Sequence, residues 1–543
     1  MASTLLPQRS NSGLPPFIRS GSFFEDLGRS LDSRVPRVGL AALLVALFSV
    51  LYFTKTYFAA AEKTFWYDEL STLYISRFPT FQTAWAAVLR GADYNPPLFY
   101  IIHRAARSMF GEGLVAFRLP EILSFWVLGL CLFRFVNRRA GLLGGWIAMA
   151  IPALTGAYFY AFEARPHGLV LGFCGLALLC WDMLEEKQTR FWLIAFSVCL
   201  EAAFFIHCFA LLLTVPFGLV ELSRTIERKR IAWNRWLAIA VPAIVAVSIF
   251  VPLFWSYTHR FRHSVERIHS FKASALYRIP AFYKELLEPC ILVVVLLLVV
   301  LVMRRAVSVK NFGKSISALI VGFIVLPLGG VVLARIVSAP LFLRYFVSAV
   351  VGIALLFGLG VGFSSQRWVR VLLAGAVACA LGVSCVNTVR FYYRGWGDEL
   401  IEPSTKLLMN TVPGNPLGIH QLLTSHSKEG IPVMVPFFLD FTYLQFYWPD
   451  NGRLYGLKPS SLDEVGAVYH SSRPLGPADQ KVKFAEFAAA HPVYFVYGQT
   501  YAYPFLSQVA SRGAILESFV YDETTDYFLA KVRMRPFRSI ASQ

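Results

Sequence analysis

Charged side chains are scarce in this sequence. Only 15% of its 543 residues are Asp, Glu, Lys or Arg, whereas 56% are hydrophobic and the mean hydropathy is +0.54. Ordinary soluble domains carry about 25% charged residues. The shortage excludes a disordered chain and a typical soluble enzyme, and it predicts a polytopic membrane protein.

Acidic residues are the rarer sign of charge, with 33 Asp and Glu against 51 Lys and Arg, for a net charge of +18. In a soluble protein this imbalance would suggest nucleic acid as a partner. In a membrane protein the commoner cause is Lys and Arg in cytoplasmic loops. Because the basic residues largely lie in short loops between apolar runs, we expect membrane lipids as partners and no nucleic acid.

Cysteine is missing from the polar C-terminal region, and all eight cysteines lie in apolar stretches. No pair of them has zinc-ligand spacing, so we predict buried, unpaired thiols. The sequence also has no internal repeat, and the inverted-repeat signature of many transporters is therefore not evident.

Apolar runs long enough to cross a bilayer recur up to residue 389. A spanning helix needs about 17–25 mostly apolar residues. About eleven segments meet that requirement when residues 190–223 are divided into two short helices. They are residues 38–58, 118–136, 141–160, 165–183, 190–206, 207–223, 236–257, 289–303, 315–337, 341–363 and 368–388.

Short basic loops predict the orientation of these spans. Lys and Arg cluster in the N-terminal tail and in residues 137–140, 223–235, 304–314 and 364–370. With eleven spans and a cytoplasmic N-terminus, all of these segments fall on the cytoplasmic side, as the positive-inside rule requires. We therefore expect a multi-pass protein of the inner (plasma) membrane.

The topology predicts three regions, which are a cytoplasmic tail at 1–36, a transmembrane domain at 37–389 with a first outer loop at 59–117, and an extracytoplasmic domain at 390–543. Residues 71–90 and 97–111 are predicted as helices on the outer membrane surface. The C-terminal region has strand-like runs at Val433–Phe438, Val493–Tyr497, Ile515–Tyr521 and Tyr527–Val532, and a loop followed by a helix over 474–490. The predicted fold class is an all-α polytopic membrane protein with a C-terminal extracytoplasmic α/β domain.

The first outer loop contains two adjacent carboxylates, Asp68 and Glu69, soon after the first span. A carboxylate in a partly dry pocket can accept the proton of an attacking hydroxyl, which makes both residues candidate catalytic groups. The plainer alternative is a solvated acid pair at the membrane interface.

Asp93 lies just before Pro96 and Pro97, which favour an extended entry followed by a helix and so hold the acid near the membrane surface. The alternative is a plain cap of that helix by Asp93 or Asn95.

Glu163, Arg165 and His167 join two apolar helices on the outer side. Such residues are costly at a helix junction unless they are paired or solvated. Arg165 either pairs locally with Glu163 or binds a phosphate group.

His207, Arg344 and Tyr345 occur at the outer ends of other helices. For His207 the alternative is a satisfied core residue, and for Arg344 and Tyr345 it is an interfacial anchor. The outer loop 258–288 is basic against the positive-inside trend, which suggests either an anionic lipid headgroup or a merely solvated loop.

These candidate residues are far apart in sequence, yet the predicted topology places all of them at the outer membrane surface. A transporter would hold its ionisable residues nearer the midplane of the bilayer. The arrangement therefore favours chemistry on a lipid headgroup.

Five short elements carry a resemblance to a known family. They are Asp68-Glu69, Asp93 with Pro96-Pro97-Leu98 and Tyr100, Arg118-Leu119-Pro120, Glu163-Ala164-Arg165-Pro166, and Arg344-Tyr345. In the order of these elements over residues 38–365, the chain resembles the GT-C class of integral-membrane glycosyltransferases. It is most similar to the branch of protein mannosyltransferases and lipid A aminoarabinose transferases.

The resemblance implies a sugar donor linked to a polyprenyl phosphate and an acceptor hydroxyl on a protein, lipid or glycan at the extracytoplasmic face. It implies Asp68 as the general base, with Glu69 as the fallback. Arg165, Arg344 and Tyr345 would contact the phosphate of the donor.

The same resemblance implies that Asp93 and Glu163 shape an acceptor pocket or hold a divalent metal, and we place His167 and His207 with them. Some members of the class need a metal and others do not, so no cofactor is assigned and metal use stays open.

Back-side attack on the sugar predicts inversion at the anomeric carbon through an oxocarbenium-like transition state. The leaving phosphate would need cations already in place. The alternatives to an enzyme are a polytopic lipid or glycan transporter or flippase, and a non-catalytic membrane scaffold.

Overall fold

The structure is a computed structural model that describes residues 34–90, 92–268, 278–303, 312–337, 343–394, 421–427, 430–448, 450–458, 479–523 and 526–534. All but the last three residues of the predicted tail 1–36 lie outside the described residues. So do most residues between the last apolar helix and the C-terminal sheet.

The N-terminal part of the chain is helical. Its helices are α1 (Arg34–Glu62), α2 (Tyr67–Ser76), α3 (Phe81–Leu89), α4 (Pro97–Phe110), α5 (Leu114–Phe117), α6 (Leu119–Ala140), α7 (Leu142–Leu154), α8 (Pro166–Lys187), α9 (Arg190–Ile206), α10 (Thr214–Arg228), α11 (Trp233–Ile268), α12 (Arg278–Leu287), α13 (Ile291–Met303), α14 (Lys314–Ile324), α15 (Leu326–Val337), α16 (Ala349–Gly362) and α17 (Arg367–Arg394). Short 3₁₀ helices lie at Gly156–Phe162, Cys208–Leu213, Glu288–Cys290 and Leu343–Phe346.

Among the described residues, six helices are long and apolar enough to cross a membrane, and two bent helix pairs raise the number to eight. The six are Val38–Glu62, Leu119–Ala140, Pro166–Lys187, Cys208–Arg228, Trp233–Phe250 and Arg367–Arg394. The chain is therefore a multi-pass membrane protein. The other three predicted spans fall on shorter helices, α9, α13 and α16, with 17, 13 and 14 residues. The total of eleven spans stays a prediction.

Two predicted spans are broken helices. The axis bends by 75° between α7 and the 3₁₀ helix Gly156–Phe162, and by 51° between α14 and α15. Pro152 lies inside the end of α7 and Pro327 in the first turn of α15. Proline lacks the amide hydrogen that would continue the preceding hydrogen bonds, so Pro327 gives the second break a local cause. At the first break, Thr155 has an extended backbone and ends α7.

The segment after residue 257 differs from the sequence prediction. It was expected to be a loop from residue 258 onward, but α11 continues to Ile268. No Gly or Pro occurs between residues 253 and 268, so nothing in the backbone chemistry stops the helix there. Residues 269–277 of this loop lie outside the described residues.

The loop 59–117, predicted as the first outer loop, is largely helical, with α2, α3, α4 and α5 between the first two long helices. The predicted surface helices over 71–90 and 97–111 correspond to α2 with α3 and to α4. The described cysteines form no disulfide, as predicted, but Cys379 is exposed and Cys199 and Cys208 are only partly buried.

The C-terminal part contains a mixed six-stranded sheet in the order β3-β2-β1-β4-β6-β5. The strands are β1 (Val433–Val435), β2 (Leu454–Leu457), β3 (Lys481–Val482), β4 (Val493–Gln499), β5 (Ala514–Asp522) and β6 (Tyr527–Met534). Strands β1 to β4 pair in parallel, whereas β6 pairs antiparallel with both β4 and β5. The helices are α18 (Gln421–His426), α19 (Phe438–Tyr447), α20 (Phe484–Ala490) and α21 (Tyr503–Ser511), and 3₁₀ turns lie at Asn451–Arg453 and Thr500–Ala502.

The sheet confirms the predicted C-terminal mixture of helices and strands, with two differences. The run predicted as a strand over Val433–Phe438 ends at Val435, because Pro436 follows and α19 begins at Phe438. Strands β2 and β3 were not predicted, since each has at most four residues.

Candidate active site

The first turn of α2 carries Asp68 and Glu69, where the positive end of the helix dipole favours carboxylates. Consecutive side chains on a helix are about 100° apart around its axis, so the two acids face different surroundings. The carboxylate of Glu69 also accepts a hydrogen bond from the backbone N–H of Trp66 at 3.4 Å.

Glu69 is completely buried and hydrogen-bonded from several sides. Lys63 Nζ lies 2.5 Å from its Oε2, and Arg118 donates from Nε at 2.7 Å and from Nη2 at 2.8 Å. The backbone N–H of Ala164 donates to Oε1 at 2.8 Å. Although burial alone would raise it, Arg118 and Lys63 lower the pKa of Glu69 to about 2.

Arg118 joins this carboxylate to the end of the first long helix. Its Nη1 donates to the carbonyl oxygens of Ala60 and Lys63, each at 2.7 Å. The sequence placed Arg118 in a motif without a role, and it gave no signal for Lys63 other than a lysine just after an apolar run. Together they make Glu69 a junction of the loop 59–117 with α1, α6 and the start of α8.

Asp68 has a more open setting. Its side chain is 26% exposed, and its Oδ2 lies 3.4 Å from Arg344 Nη2 and 3.8 Å from Arg165 Nη2. These distances are longer than those of a hydrogen-bonded ion pair. Asp68 is therefore the carboxylate of the predicted site that stands nearest to solvent while keeping two guanidinium groups beside it.

Asp93 is buried and held by Arg165. Arg165 Nη1 donates to Asp93 Oδ2 at 2.8 Å and to the backbone oxygen of Asp68 at 3.1 Å. Asn95 Nδ2 donates to the same Oδ2 at 3.0 Å. Helix α4 has Pro96 at its N-cap without a side-chain cap, so the capping alternative for Asp93 and Asn95 is wrong.

Glu163 is 1% exposed, and among the described residues neither of its carboxylate oxygens has a hydrogen-bond partner. The local pair of Glu163 with Arg165, considered as an alternative, does not form, because Arg165 turns to Asp93 and Asp68. Burial raises the pKa of Glu163 to about 7, against the opposing charge of Lys63.

The backbone passes very close to itself on the two sides of Glu163. A Cβ atom added at Gly168, in the first turn of α8, would lie 2.3 Å from the backbone oxygen of Tyr160. Only glycine fits there without a shift of the backbone. This close approach folds the segment from Tyr160 to Gly168 tightly. It holds Glu163 and Arg165 in the charged cluster, which they form with Asp68, Glu69 and Asp93.

The rings of His167, His207 and Tyr345 form an aromatic group next to the charged cluster. The ring of Tyr345 lies 5.0 Å from that of His207 and 6.1 Å from that of His167, and the two histidine rings are 5.0 Å apart. These side chains line a small cavity. Its other walls are largely apolar, with Val170, Phe209, Ala210, Leu212, Leu213, Leu326, Val347 and Ser348.

The structure thus brings together the nine residues that the sequence singled out. Ion pairs link Asp68 with Arg165 and Arg344, and Tyr345 follows Arg344 into the aromatic group. Within the described part of the chain, no group of three or more His, Cys, Asp or Glu side chains is arranged to hold a metal ion.

Comparison with known proteins identifies the fold. No protein-family model matches the chain, and no curated protein matches its sequence. Among solved structures, ArnT from Cupriavidus metallidurans in the apo state has a TM-score of 0.54 at 14% sequence identity, with 91% of this chain and 98% of that chain covered. The same protein bound to undecaprenyl phosphate has a TM-score of 0.53 over the same shares.

The class defined by these findings is a multi-pass helical membrane protein with a GT-C glycosyltransferase fold. More particularly, the fold is similar to that of ArnT, over 91% of this chain and 98% of that one. The resemblance predicted from five short elements is therefore confirmed at the level of the fold.

Proposed function

We propose that this protein is a membrane glycosyltransferase that moves a sugar from a polyprenyl-phosphate donor to an acceptor hydroxyl on a protein, lipid or glycan. The observation that carries the proposal is the partly exposed Asp68 carboxylate beside the guanidinium groups of Arg344 and Arg165. A base and cations for a phosphate are the two things that this transfer needs. The undecaprenyl phosphate bound to ArnT, which shares the fold, supports the donor class.

Asp68 is the proposed general base. As the acceptor oxygen forms its bond to the anomeric carbon, its proton passes to the Asp68 carboxylate, and the bond from that carbon to the phosphate oxygen breaks. The polyprenyl phosphate leaves with the bonding electron pair, and attack opposite to it inverts the anomeric centre.

Glu69 is proposed as a structural anchor and not as the fallback base. Its two oxygens already accept hydrogen bonds from Arg118, Lys63 and the N–H of Ala164. A carboxylate with a pKa of about 2 is also a weak proton acceptor near neutral pH.

Arg344 and Tyr345 are proposed to bind the phosphate of the donor, with the largely apolar cavity beside Tyr345 next to them. Arg165 is a weaker candidate, because Asp93 already accepts a hydrogen bond from its guanidinium. It would act chiefly by holding Asp93 and the backbone of Asp68 in place.

Glu163, Asp93, His167 and His207 are proposed to surround the reacting sugar and the acceptor. Glu163 is the strongest of these candidates, since buried polar groups normally have partners and a ligand hydroxyl would supply one.

The first experiment measures consumption of undecaprenyl-phosphate-linked sugars by purified protein, with a panel that carries aminoarabinose, mannose, glucose or galactose. We expect turnover of one donor, and a loss of about 10²–10⁴-fold in Asp68→Asn, the usual range for removal of a general base. Binding of undecaprenyl phosphate should persist in that variant.

Asp182→Asn is the matched control, because Asp182 is a buried carboxylate at the other end of α8. It should retain turnover within about twofold if it folds. Normal turnover in Asp68→Asn would remove Asp68 as the base. Movement of donor across reconstituted vesicles without any turnover would favour the transporter alternative.

We further propose that the active site and the C-terminal domain face the extracytoplasmic side of the inner membrane. The basic loops 223–235 and 364–370 support this orientation. In intact cells Ser511→Cys should react with an impermeant thiol reagent, whereas Arg230→Cys should react only after lysis. The opposite labelling pattern would reverse the topology.

A further inference from the structure

The C-terminal domain contacts the helix that carries the proposed base. Helix α19 packs on α2, where the rings of Tyr443 and Tyr67 lie 5.6 Å apart. The hydroxyl of Tyr74 donates to the backbone oxygen of Thr442 at 3.1 Å, and the hydroxyl of Tyr447 accepts from the N–H of Phe65 at 2.7 Å. These contacts cover both ends of α2.

A buried carboxylate lies at the centre of this contact. Asp440 is 1% exposed, and its Oδ1 accepts hydrogen bonds from the hydroxyls of Tyr527 at 2.9 Å and Tyr67 at 3.2 Å. The two hydroxyls are 3.3 Å apart. A buried charge is costly unless it is hydrogen-bonded, so α19, β6 and α2 are stabilised together.

Both tyrosines suit the role of donors. Burial, and then the charge of Asp440, raise the pKa of Tyr67 well above its usual value, so its hydroxyl stays protonated. Tyr527 is buried and stacks on Tyr497 with ring centroids 5.0 Å apart. Both tyrosines therefore donate to Asp440 with their rings in these packed positions.

Tyr67, Asp68 and Glu69 are consecutive on α2, so their side chains leave the axis in directions about 100° apart. Tyr67 is fixed to the C-terminal domain through Asp440, and Glu69 is fixed to the membrane helices through Arg118. The side chain between them is Asp68. A helix that is held on both sides in this way cannot rotate without breaking one of the two buried groups.

We propose that Asp440, with Tyr67 and Tyr527, is a positioning unit through which the C-terminal domain orients Asp68. The inference rests on the proposed function, because it gives Asp68 the role of base. A displacement of about 1 Å at a reacting group can cost about 10²-fold in rate. The unit therefore acts on turnover and not on donor binding.

The test compares kcat and the KM for the donor in four single variants and one double variant. Asp440→Ala should lower kcat about 100-fold, and Tyr67→Phe and Tyr527→Phe about 10-fold each, with the KM for the donor changed less than about twofold. Asp440→Asn should recover most of the activity, because its amide oxygen still accepts a hydrogen bond from a hydroxyl. In the Asp440→Ala background, Tyr67→Phe should have no further effect.

Tyr521→Phe is the matched control. It removes another hydrogen bond from a tyrosine to an aspartate, to Asp526 at 2.9 Å, on the edge strand β5 of the same domain. Its kcat should stay within about twofold of the wild type. The proposal would be overturned if kcat equals that of the control in Asp440→Ala, Tyr67→Phe and Tyr527→Phe. If Asp440→Ala does not fold, the two Phe variants make the test by themselves.

A second measurement separates this proposal from the proposed function. The rate at which a water-soluble carbodiimide modifies Asp68, followed by mass spectrometry without any donor, should change in Asp440→Ala and Tyr67→Phe but not in Tyr521→Phe. If the wild type transfers no sugar and this pattern still appears, positioning stands and the proposed function fails. Equal rates in all variants would reject positioning whatever the enzyme activity.

Discussion

The two ends of helix α8 carry two clusters of charge that differ in how completely they are paired. The helix has 22 residues, so its ends are about 33 Å apart. At the Lys187 end every carboxylate of the cluster meets an arginine. Asp182 lies 2.5 Å from Arg139 and 2.8 Å from Arg138, Glu186 lies 2.8 Å from Arg138, Glu221 lies 3.1 Å from Arg224, and Glu185 pairs with both Arg224 and Arg235.

The Arg165 end is only partly paired. Glu69 and Asp93 are enclosed by donors, but Asp68 has guanidinium groups at 3.4 and 3.8 Å, and among the described residues Glu163 has no hydrogen-bond partner. A buried polar group without a partner requires an explanation, such as a ligand. Both ends are rich in charge, so the comparison teaches that incomplete pairing next to a cavity is what distinguishes the proposed site from the Lys187 end.

The largest effect on stability is expected where the pairing is complete and buried. Glu69→Gln removes the charge that neutralises Lys63 and Arg118, and breaking such a buried pair costs about 3–5 kcal/mol. Thermal unfolding of the purified protein should show a clear drop in the midpoint. Glu186→Gln, at a 43% exposed carboxylate of the Lys187 end, is the control and should change stability by less than about 1 kcal/mol. Equal midpoints for the two variants would break the comparison.

The buried carboxylate of Glu163 should make the free energy of unfolding depend on pH. Glu163 has a pKa raised from 4.5 to about 7, so the folded protein holds a proton that the unfolded chain releases. Stability therefore falls as pH rises between these values, by about 3 kcal/mol at most. Glu69, with a pKa of about 2, gives the opposite slope, since its contribution is lost as pH falls from 4.5 toward 2.

The measurement is the unfolding midpoint between pH 5 and pH 8. In Glu163→Gln the fall should be much smaller than in the wild type, because the amide does not ionise. Parallel curves for both proteins would mean that a ligand-free Glu163 is not the group that titrates.

A smaller effect is expected on donor affinity. Arg344→Ala should weaken binding of undecaprenyl phosphate by about 1.5–3 kcal/mol, the value of a hydrogen bond to a charged group, which is about 10- to 150-fold in Kd. Arg224→Ala removes the same charge from the Lys187 end and should leave this affinity unchanged. Equal weakening in both variants would point to net charge and not to a phosphate site.

The sequence predicts the apolar segments well, because their length and hydropathy are local properties. Each of the eleven predicted segments contains a helix or a broken pair. The helix lengths are less predictable. The segment predicted over 141–160 breaks at Thr155, and α11 continues through a polar stretch that composition alone assigns to a loop.

For the site, the sequence identifies residue types but not their pairing. Asp68 and Glu69 look equivalent as neighbours, but Arg118, which is 49 residues further along the chain, encloses Glu69 together with Lys63 and the N–H of Ala164. Asp440 was missed altogether. A lone acid within the apolar run from Phe437 to Phe441 was the available signal, since such a charge must find partners.

The smallest effect should come from a paired cluster that is exposed. Arg77 donates to both oxygens of Glu112, with side-chain exposures of 36% and 32%. Water competes with such a pair, so Arg77→Ala should cost about 0.2–1 kcal/mol and leave turnover unchanged. The readout is the unfolding midpoint beside that of Glu69→Gln. If Arg77→Ala matched the loss in Glu69→Gln, complete pairing alone would explain stability. If its cost is as small as expected, burial is what makes the pairing at Glu69 matter, and the partial burial of Asp68 then leaves it available to a substrate.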